Sequence, residues 1–331
     1  MKVLVRLPNW LGDLVMSYAF MEQLQRLLPD AQIDVVVKKN LAGLLDLFPM
    51  VRQVYEFDKK ENGSIKGLYQ FGNHIRQMQQ YDLFFVLPDS FSSALMAFAS
   101  RSKQHIGYAN EARSFLLTKS YAFPKEKIHR CRKYIRLLEL YFQTEIKDIS
   151  NRFSATPKYL ASVDFGSKPQ IVLNLQSVAA SRSMPLSKSI EIIKTIRNSI
   201  NASIILSGLE KDQAFMKQLC EHFENPDYLI DLSGKTSLME FASLLYQSDL
   251  VIGVDSGPAH LANALGLSSI VFLGAGDVEE TGPFEQDNLV VLKVSLPCSP
   301  CISNTCHLET LDCLHKISLI ELSDAIQKLL L

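Results

Sequence analysis

At 331 residues the chain exceeds the size at which a single hydrophobic core usually stops growing, so two domains are expected. Its 47% apolar and 21% charged residues are those of an ordinary globular protein and exclude a disordered, fibrous or solenoid chain. The formal charge of −1 hides an asymmetry: residues 1–160 hold 23 Lys and Arg against 15 Asp and Glu (+8), and the remainder holds 11 against 20 (−9), so the halves either meet different partners or complement one another.

The start, MKVLVRLPNWLGDLV, breaks its apolar run at Arg6, Pro8 and Asp13. It lacks the apolar region of a signal peptide and reads as a buried first strand. No run of about 18 uncharged apolar residues occurs, so no bilayer span is expected and the chain is assigned to the cytoplasm. After KVLVRL come a helix through Tyr18–Leu28, the strand IDVVV, a helix near Leu41–Leu47, the strands QVYEF and LFFVL, and a helix over Tyr134–Phe142. The second half repeats the alternation. QIVLNL precedes a helix from Ser187 to Ile200, with Ser187 as its expected N-cap; ASIILSG precedes a helix near Asp212–Phe223. YLIDL, a helix through Leu238–Leu245, DLVIGV and SIVFLG follow.

Apolar, β-branched strands separated by amphipathic helices predict buried parallel sheets, hence two doubly wound α/β domains facing a central crevice. The segment Asn151–Pro169 has the composition of a linker. The expected division is a first domain over 1–157, a second over 168–315, and a C-terminal helix over 316–331. Ligands of such domains bind beyond the carboxyl ends of the strands, so the loops after strands carry the chemistry.

The first such loop, Pro8-Asn9-Trp10-Leu11-Gly12-Asp13, sets Asp13 near a helix start, where a carboxylate also serves as an ordinary first-turn stabiliser. After QIVLNL the loop from Ser177 to Pro185 is rich in small hydroxylated residues and holds Arg182, the makings of a phosphate cradle or of a plain polar loop. GVDSGPAHLANALG, at 253–266, runs from an apolar strand into Asp255-Ser256-Gly257-Pro258 and a helix bearing His260; Gly257 admits a ligand to the backbone and Pro258 presets the first turn. Gly274-Ala275-Gly276-Asp277 closes the next strand. Neither glycine-rich loop fits the dinucleotide fingerprint, and no GxxxxGK[ST] occurs, which disfavours hydride transfer and P-loop phosphoryl transfer.

Together these words resemble the ADP-heptose:lipopolysaccharide heptosyltransferases, glycosyltransferase family 9, which have the two-Rossmann GT-B architecture. The resemblance covers nearly the whole chain: the GD turn with Asp13, SALMAFASRSKQHIGYANEARSFLLT, HRCRKYIRLLEL, Arg182–Pro185, GVDSGPAHLA and the C-terminal CSPC…C…C segment. It implies an inverting transfer of heptose from ADP-heptose to the inner core of a lipopolysaccharide precursor in one in-line displacement, with Asp13 as general base and domain closure aligning it with the donor. Ser177, Ser181, Arg182, Ser256, Gly257 and His260 would meet the leaving diphosphate, Asp255 would orient the donor sugar, and Glu210 would contact the ribose. One departure stands out. Where the family has Lys, a bulky pair and Pro, this chain has Arg182-Ser183-Met184-Pro185, which keeps the charge but alters its geometry.

The basic half acquires a meaning from the same resemblance. Arg101, Lys103, Arg113 and Arg130 would bind an anionic acceptor of lipid A–Kdo type, and the run Lys125, Lys127, Arg130, Arg132, Lys133, Arg136 would dock the enzyme peripherally on the inner face of the cytoplasmic membrane; a solvated helix face is the alternative for that run. No cofactor beyond the nucleotide-sugar co-substrate, no nucleic acid and no catalytic metal is expected. Cys298, Cys301, Cys306 and Cys313 invite a structural zinc reading through their CxxC pair, although the second pair is irregularly spaced and reduced packing cysteines are the simpler reading; Cys131 and Cys220 read as small buried hydrophobes. Two rivals to heptosyl transfer are a nucleotide-sugar epimerase or hydrolase on the same scaffold, and a non-catalytic nucleotide- or glycolipid-binding homologue.

Overall fold

A computed structural model describes residues 1–157 and 168–330. Part of the expected linker, 158–167, lies outside the described residues. The chain divides into two compact units, Met1–Ala155 and Thr156–Leu331.

Each unit is built on a six-stranded, all-parallel sheet. In the first, β1 (Lys2–Arg6), β2 (Gln32–Lys38), β3 (Val51–Phe57), β4 (Leu83–Val86), β5 (Gln104–Ala109) and β6 (Lys119–Ala122) lie in the order β3-β2-β1-β4-β5-β6. In the second, β7 (Gln170–Asn174), β8 (Ser203–Leu206), β9 (Leu229–Asp231), β10 (Leu250–Val254), β11 (Ser269–Leu273) and β12 (Leu289–Lys293) lie in the order β12-β11-β10-β7-β8-β9. The two topologies are identical. In each the chain winds outward from its first strand, returns to the other side of that strand, and winds outward again.

The central strands are covered on both faces, which is why they read as continuous apolar runs: all of Leu83–Val86, Ser203–Leu206 and Leu250–Val254 is buried. β6 is an edge strand and mostly exposed, and its sequence KSYA carries no apolar run; this is why it escapes pattern reading. The helices Ile65–Met78 and Phe91–Ser100, before and after β4, pack so closely that a methyl group on Gly72 would meet the Ala99 Cβ at 2.7 Å. The expected helix at Leu41–Leu47 is a 3₁₀ helix, Lys39–Leu47, which still turns Leu41, Leu44, Leu45 and Leu47 inward.

Ser187 is not an N-cap. Pro185 occupies that position in the helix Leu186–Ser199 with φ −63 and ψ 149, so the ring-fixed backbone starts the helix without a side-chain cap and Ser187 falls inside the first turn. The C-terminal helix, Leu319–Leu330, places Leu322, Ala325 and Ile326 in the core of the second unit, and Ser323 hydrogen-bonds Ser199 at 2.9 Å. No helix among the described residues is long and apolar enough to cross a membrane.

Candidate active site

A doubly wound sheet opens a ligand crevice where its winding reverses, between the carboxyl ends of the two central strands. In the first unit those strands are β1 and β4, in the second β10 and β7. The loops that follow them hold Asp13 and Asp89 in one case, and Ser177–Arg182 and Asp255–Gly257 in the other. Most of the sequence-derived site residues therefore stand at one of the two switch points.

In the first unit, Asp13 lies in the first turn of the helix Leu11–Met16, which starts straight after the Pro8–Trp10 turn. Arg6 fixes that turn. It is buried, and its guanidinium donates to the carbonyls of Leu7 (2.6 Å) and Val36 (3.2 Å) and to the Asn9 side chain (2.5 Å); burial pushes its pKa down to about 10. The Asp13 carboxylate faces Arg130 Nε at 3.7 Å, with side-chain exposures of 26% and 31%. Arg130 opens the helix Arg130–Phe142, whose N-cap His129 accepts the Cys131 N–H through Nδ1 at 3.2 Å.

The other cations assigned to the acceptor part company with Asp13. Arg101 ends the helix Phe91–Ser100 in a left-handed conformation (φ 50), just before β5. Lys103 donates to Asp82 at 2.7 Å, and Asp82 also accepts the Lys2 N–H at 2.9 Å. Both residues thus sit at the amino ends of the strands, the edge opposite Asp13, which separates them from the expected reaction centre. Arg113 is not a surface cation at all. It is fully buried, donating to the Tyr108 carbonyl (2.9 Å), the Ser90 carbonyl (3.2 Å) and the Pro88 carbonyl, with Asp89 Oδ1 at 3.4 Å. Formal charge in a sequence says nothing of burial, and Arg113 serves as an internal clamp. Lys133, in the basic run, is likewise buried and lies over the Phe123 ring at 5.6 Å, whereas Lys125, Lys127, Arg132 and Arg136 are exposed.

In the second unit the central feature is a buried carboxylate. Asp255, 1% exposed, stands between Arg182 Nη1 (3.4 Å) and His260 Nε2 (3.8 Å). Neither Asp255 oxygen accepts a hydrogen bond among the described residues. Burial raises the carboxyl pKa and the Arg182 charge opposes the rise. The loop after β11 passes directly over this carboxylate, since a Cβ on Gly276 would occupy the space of Asp255 Oδ2. Ser256 precedes the helix Gly257–Ala264 and donates to Asn174 Oδ1 at 3.1 Å, tying the ends of β10 and β7. Gly253 makes that approach possible, because a Cβ there would lie 2.8 Å from the Asn174 carbonyl.

Ser177 takes part in its own loop: its hydroxyl accepts the Ala179 N–H at 3.3 Å, and its carbonyl accepts Lys211 Nζ at 3.0 Å. Glu210, exposed, precedes Lys211 in the loop after β8. Lys211 and Asn174, which sequence reasoning passes over, bond directly to these loops; the position of each at or after a strand end was the available signal.

Ser181 is committed elsewhere. It is buried, its amide donates to Asn304 O (3.1 Å) and its hydroxyl to Ser303 O (2.5 Å), so it bolts the loop to the cysteine-rich segment instead of offering a free hydroxyl. The same segment ties down the β11 loop through Ile302 N–H to Ala275 O (2.9 Å) and Ser299 Oγ to Gly274 O (2.9 Å). All six cysteines are free thiols; Cys131 is buried as expected, while Cys220 is only half-buried. Backbone N–H groups, chiefly that of Leu311, hold the Cys306 thiol low, and burial raises that of Cys313. Cys298, Cys301 and Cys306 each act on the Cys313 thiol, and among the described residues no three His, Cys, Asp or Glu side chains group as a metal site.

Two doubly wound domains of one topology, each with loops at its switch point, make the GT-B fold. The chain belongs to glycosyltransferase family 9 (heptosyltransferase), whose model matches residues 69–312. Lipooligosaccharide heptosyltransferase 2 of Haemophilus ducreyi is 28% identical over 290 residues, 80% of each chain. Lipopolysaccharide heptosyltransferase 2 of Escherichia coli K12 is 25% identical over 313 residues, 88% of each. The structure of E. coli ADP-heptose lps heptosyltransferase II superposes with a TM-score of 0.83 at 22% identity, covering 100% of this chain and 98% of that one. The protein is a glycosyltransferase, and the epimerase, hydrolase and binding-only readings fall away.

Proposed function

We propose that the protein transfers heptose from ADP-heptose to the inner core of a lipopolysaccharide precursor, with inversion. The observation that carries this reading is that a family 9 chain has a quarter-exposed Asp13 at the switch point of its first unit and an Arg182–Asp255–His260 cluster at that of its second. Asp13 takes the proton from the acceptor hydroxyl as its oxygen attacks the anomeric carbon, and the diphosphate departs with the bonding electrons. A single displacement on the face opposite the leaving group inverts the configuration. Arg130 faces Asp13 at 3.7 Å and is the one of the four acceptor-binding cations that stands beside the base.

Charge building on the leaving diphosphate is met by Arg182 and by the backbone N–H groups at the start of the helix Gly257–Ala264, fixed donors that need no reorganisation. Asp255, buried behind Arg182, holds that cation toward the charge, so the donor-orienting role expected of it is exerted through Arg182. Ser177 and Glu210 line the nucleoside side; Ser181 supports the loop from behind. The chemistry needs no cofactor beyond the nucleotide sugar, because a diphosphate stabilised by Arg182 and N–H groups is already a competent leaving group.

The exposed Lys125, Lys127 and Arg132 follow or flank the same carboxyl edge as Arg130, and we assign them to an anionic glycolipid surface at the cytoplasmic membrane face. Flotation with anionic liposomes tests this: binding that salt abolishes is expected, and no binding at low salt contradicts it. The substrate reading is tested by mass spectrometry of acceptors carrying no heptose and one heptose, each incubated with ADP-heptose and wild-type protein. Addition of one heptose to either supports it; turnover only with a different nucleotide sugar contradicts it.

A further inference from the structure

The loop after β4, Leu87-Pro88-Asp89-Ser90, holds a carboxylate that nothing above employs. β4 is the hydrogen-bonded neighbour of β1, with Arg6 in register with Val86, so Asp89 leaves the sheet beside the turn that carries Asp13. Both carboxylates act on one buried phenol: Tyr134, pushed far up by burial, is raised further by Asp13 and by Asp89. Asp89 also lies within the field of Arg130, the residue that faces Asp13. Its side chain is 25% exposed, like that of Asp13 at 26%.

Much of the surrounding structure serves to aim this residue. In the Arg113 guanidinium fork, Nη1 donates to the carbonyls of both Pro88 and Ser90, one on each side of Asp89, and Nη2 faces Asp89 Oδ1 at 3.4 Å. β5 makes room for the fork with Gly107, where a Cβ would stand 3.3 Å from Arg113 Nη2 and 3.2 Å from the Val86 carbonyl. Burying a guanidinium is costly unless its donors are met; here they are met largely by the turn on which Asp89 sits. Among the described residues Arg113 is the only side chain hydrogen-bonded to the Asp89 carboxylate, through one oxygen, which leaves the acceptor capacity of the other for a ligand. A carboxylate that accepts from sugar hydroxyls needs this arrangement: one oxygen anchored, one presented.

We propose that Asp89 is an acceptor-binding carboxylate, receiving hydrogen bonds from acceptor-sugar hydroxyls adjacent to the one that Asp13 deprotonates, and that Arg113 is the positioning residue that aims it. The inference rests on the glycosyl-transfer reading and on Asp13 as base.

The test is steady-state transfer from ADP-heptose to the glycolipid acceptor by wild type, Asp89→Asn and Asp13→Asn, with melting temperatures in parallel. Asparagine keeps the size of Asp89 and a carbonyl oxygen for Arg113. Losing a charged hydrogen bond raises the acceptor KM by about ten- to a hundredfold, with the KM for ADP-heptose within about twofold of wild type. Asp13→Asn instead collapses kcat with little change in acceptor KM. A substrate-side arm needs no second folded variant: an acceptor deoxygenated at the hydroxyl next to the nucleophile is used less well by wild type and equally poorly by Asp89→Asn. An unchanged acceptor KM in Asp89→Asn, or a deoxy penalty that persists in full in that variant, overturns the inference and leaves Asp89 as a counter-ion for Arg113. Full activity in Asp13→Asn would overturn the base assignment while leaving the Asp89 comparison readable.

Discussion

The two switch points are built on one topology and handle charge in opposite ways. At the first, Asp13, Asp89 and Arg130 each keep a quarter to a third of their side-chain surface in solvent. At the second, Asp255 and His260 are 1% and 6% exposed. Water reaches the carboxylates of the first site, which suits the base proposed for Asp13. The second site keeps a carboxylate dry beside an arginine, where each interaction is stronger and a fixed cation is most effective on a departing diphosphate. On the proposed mechanism, the same fold separates proton handling from charge stabilisation by a difference in burial.

That contrast can be broken most severely at Arg182. Arg182→Ala removes the cation expected to meet the leaving group and should lower kcat/KM for ADP-heptose by about 10²–10³. It also leaves Asp255 buried without its counter-charge, and Asp255→Asn added to it should restore stability but not activity; a double-mutant cycle by thermal unfolding and initial rates separates the two. If the double variant unfolds as easily as Arg182→Ala, Asp255 is not the source of the loss.

Next in size is Gly276→Ala. Its methyl group would collide with the Asp255 carboxylate, and overpacking of this kind costs about 1–3 kcal/mol. Calorimetry of ADP binding should show weakened affinity in this variant, and an unaltered protein would mean that the loop yields freely.

A smaller effect, with a sign that depends on pH, is expected from Asp255→Asn alone. Burial raises the Asp255 pKa in the folded chain above its unfolded value. The ionised carboxylate therefore opposes folding, and this loss sets in as pH rises through the folded pKa; below the unfolded pKa it is absent. Asp255→Asn should accordingly melt higher than wild type at neutral pH, by an amount on the order of 1 kcal/mol, with the gap closing on acidification below the usual carboxylate range. A variant that melts lower at pH 7 would show that the Arg182 pairing outweighs desolvation. The least effect belongs to Lys103→Ala, which breaks an exposed pair with Asp82 worth about 0–1 kcal/mol and should leave acceptor KM unchanged.

Much of this is legible before any coordinates. The strand-to-loop reading places Asp13, Arg182, Asp255 and His260 because buried parallel strands announce themselves as apolar runs and their carboxyl ends bind ligands by topology. What is not legible depends on burial and on edges. Arg113 and Lys133 look like surface cations until the packing turns them inward, and Arg101 and Lys103 need the parallel register of β4 and β5 to show that they lie at the wrong edge. Ser181 looks like a phosphate ligand, and only the return of the 298–306 segment reveals its hydroxyl as engaged. Asp89 sits in a turn whose sequence, LPDS, is that of any loop; its significance comes from Arg113, 24 residues later.

The division of labour between the two switch points is tested most directly by measuring ADP-heptose binding and heptose transfer together in Asp13→Asn. Donor affinity within about twofold of wild type, with transfer reduced by about 10²–10⁴, is the predicted result. Transfer at the wild-type rate, or loss of donor binding along with transfer, would contradict it.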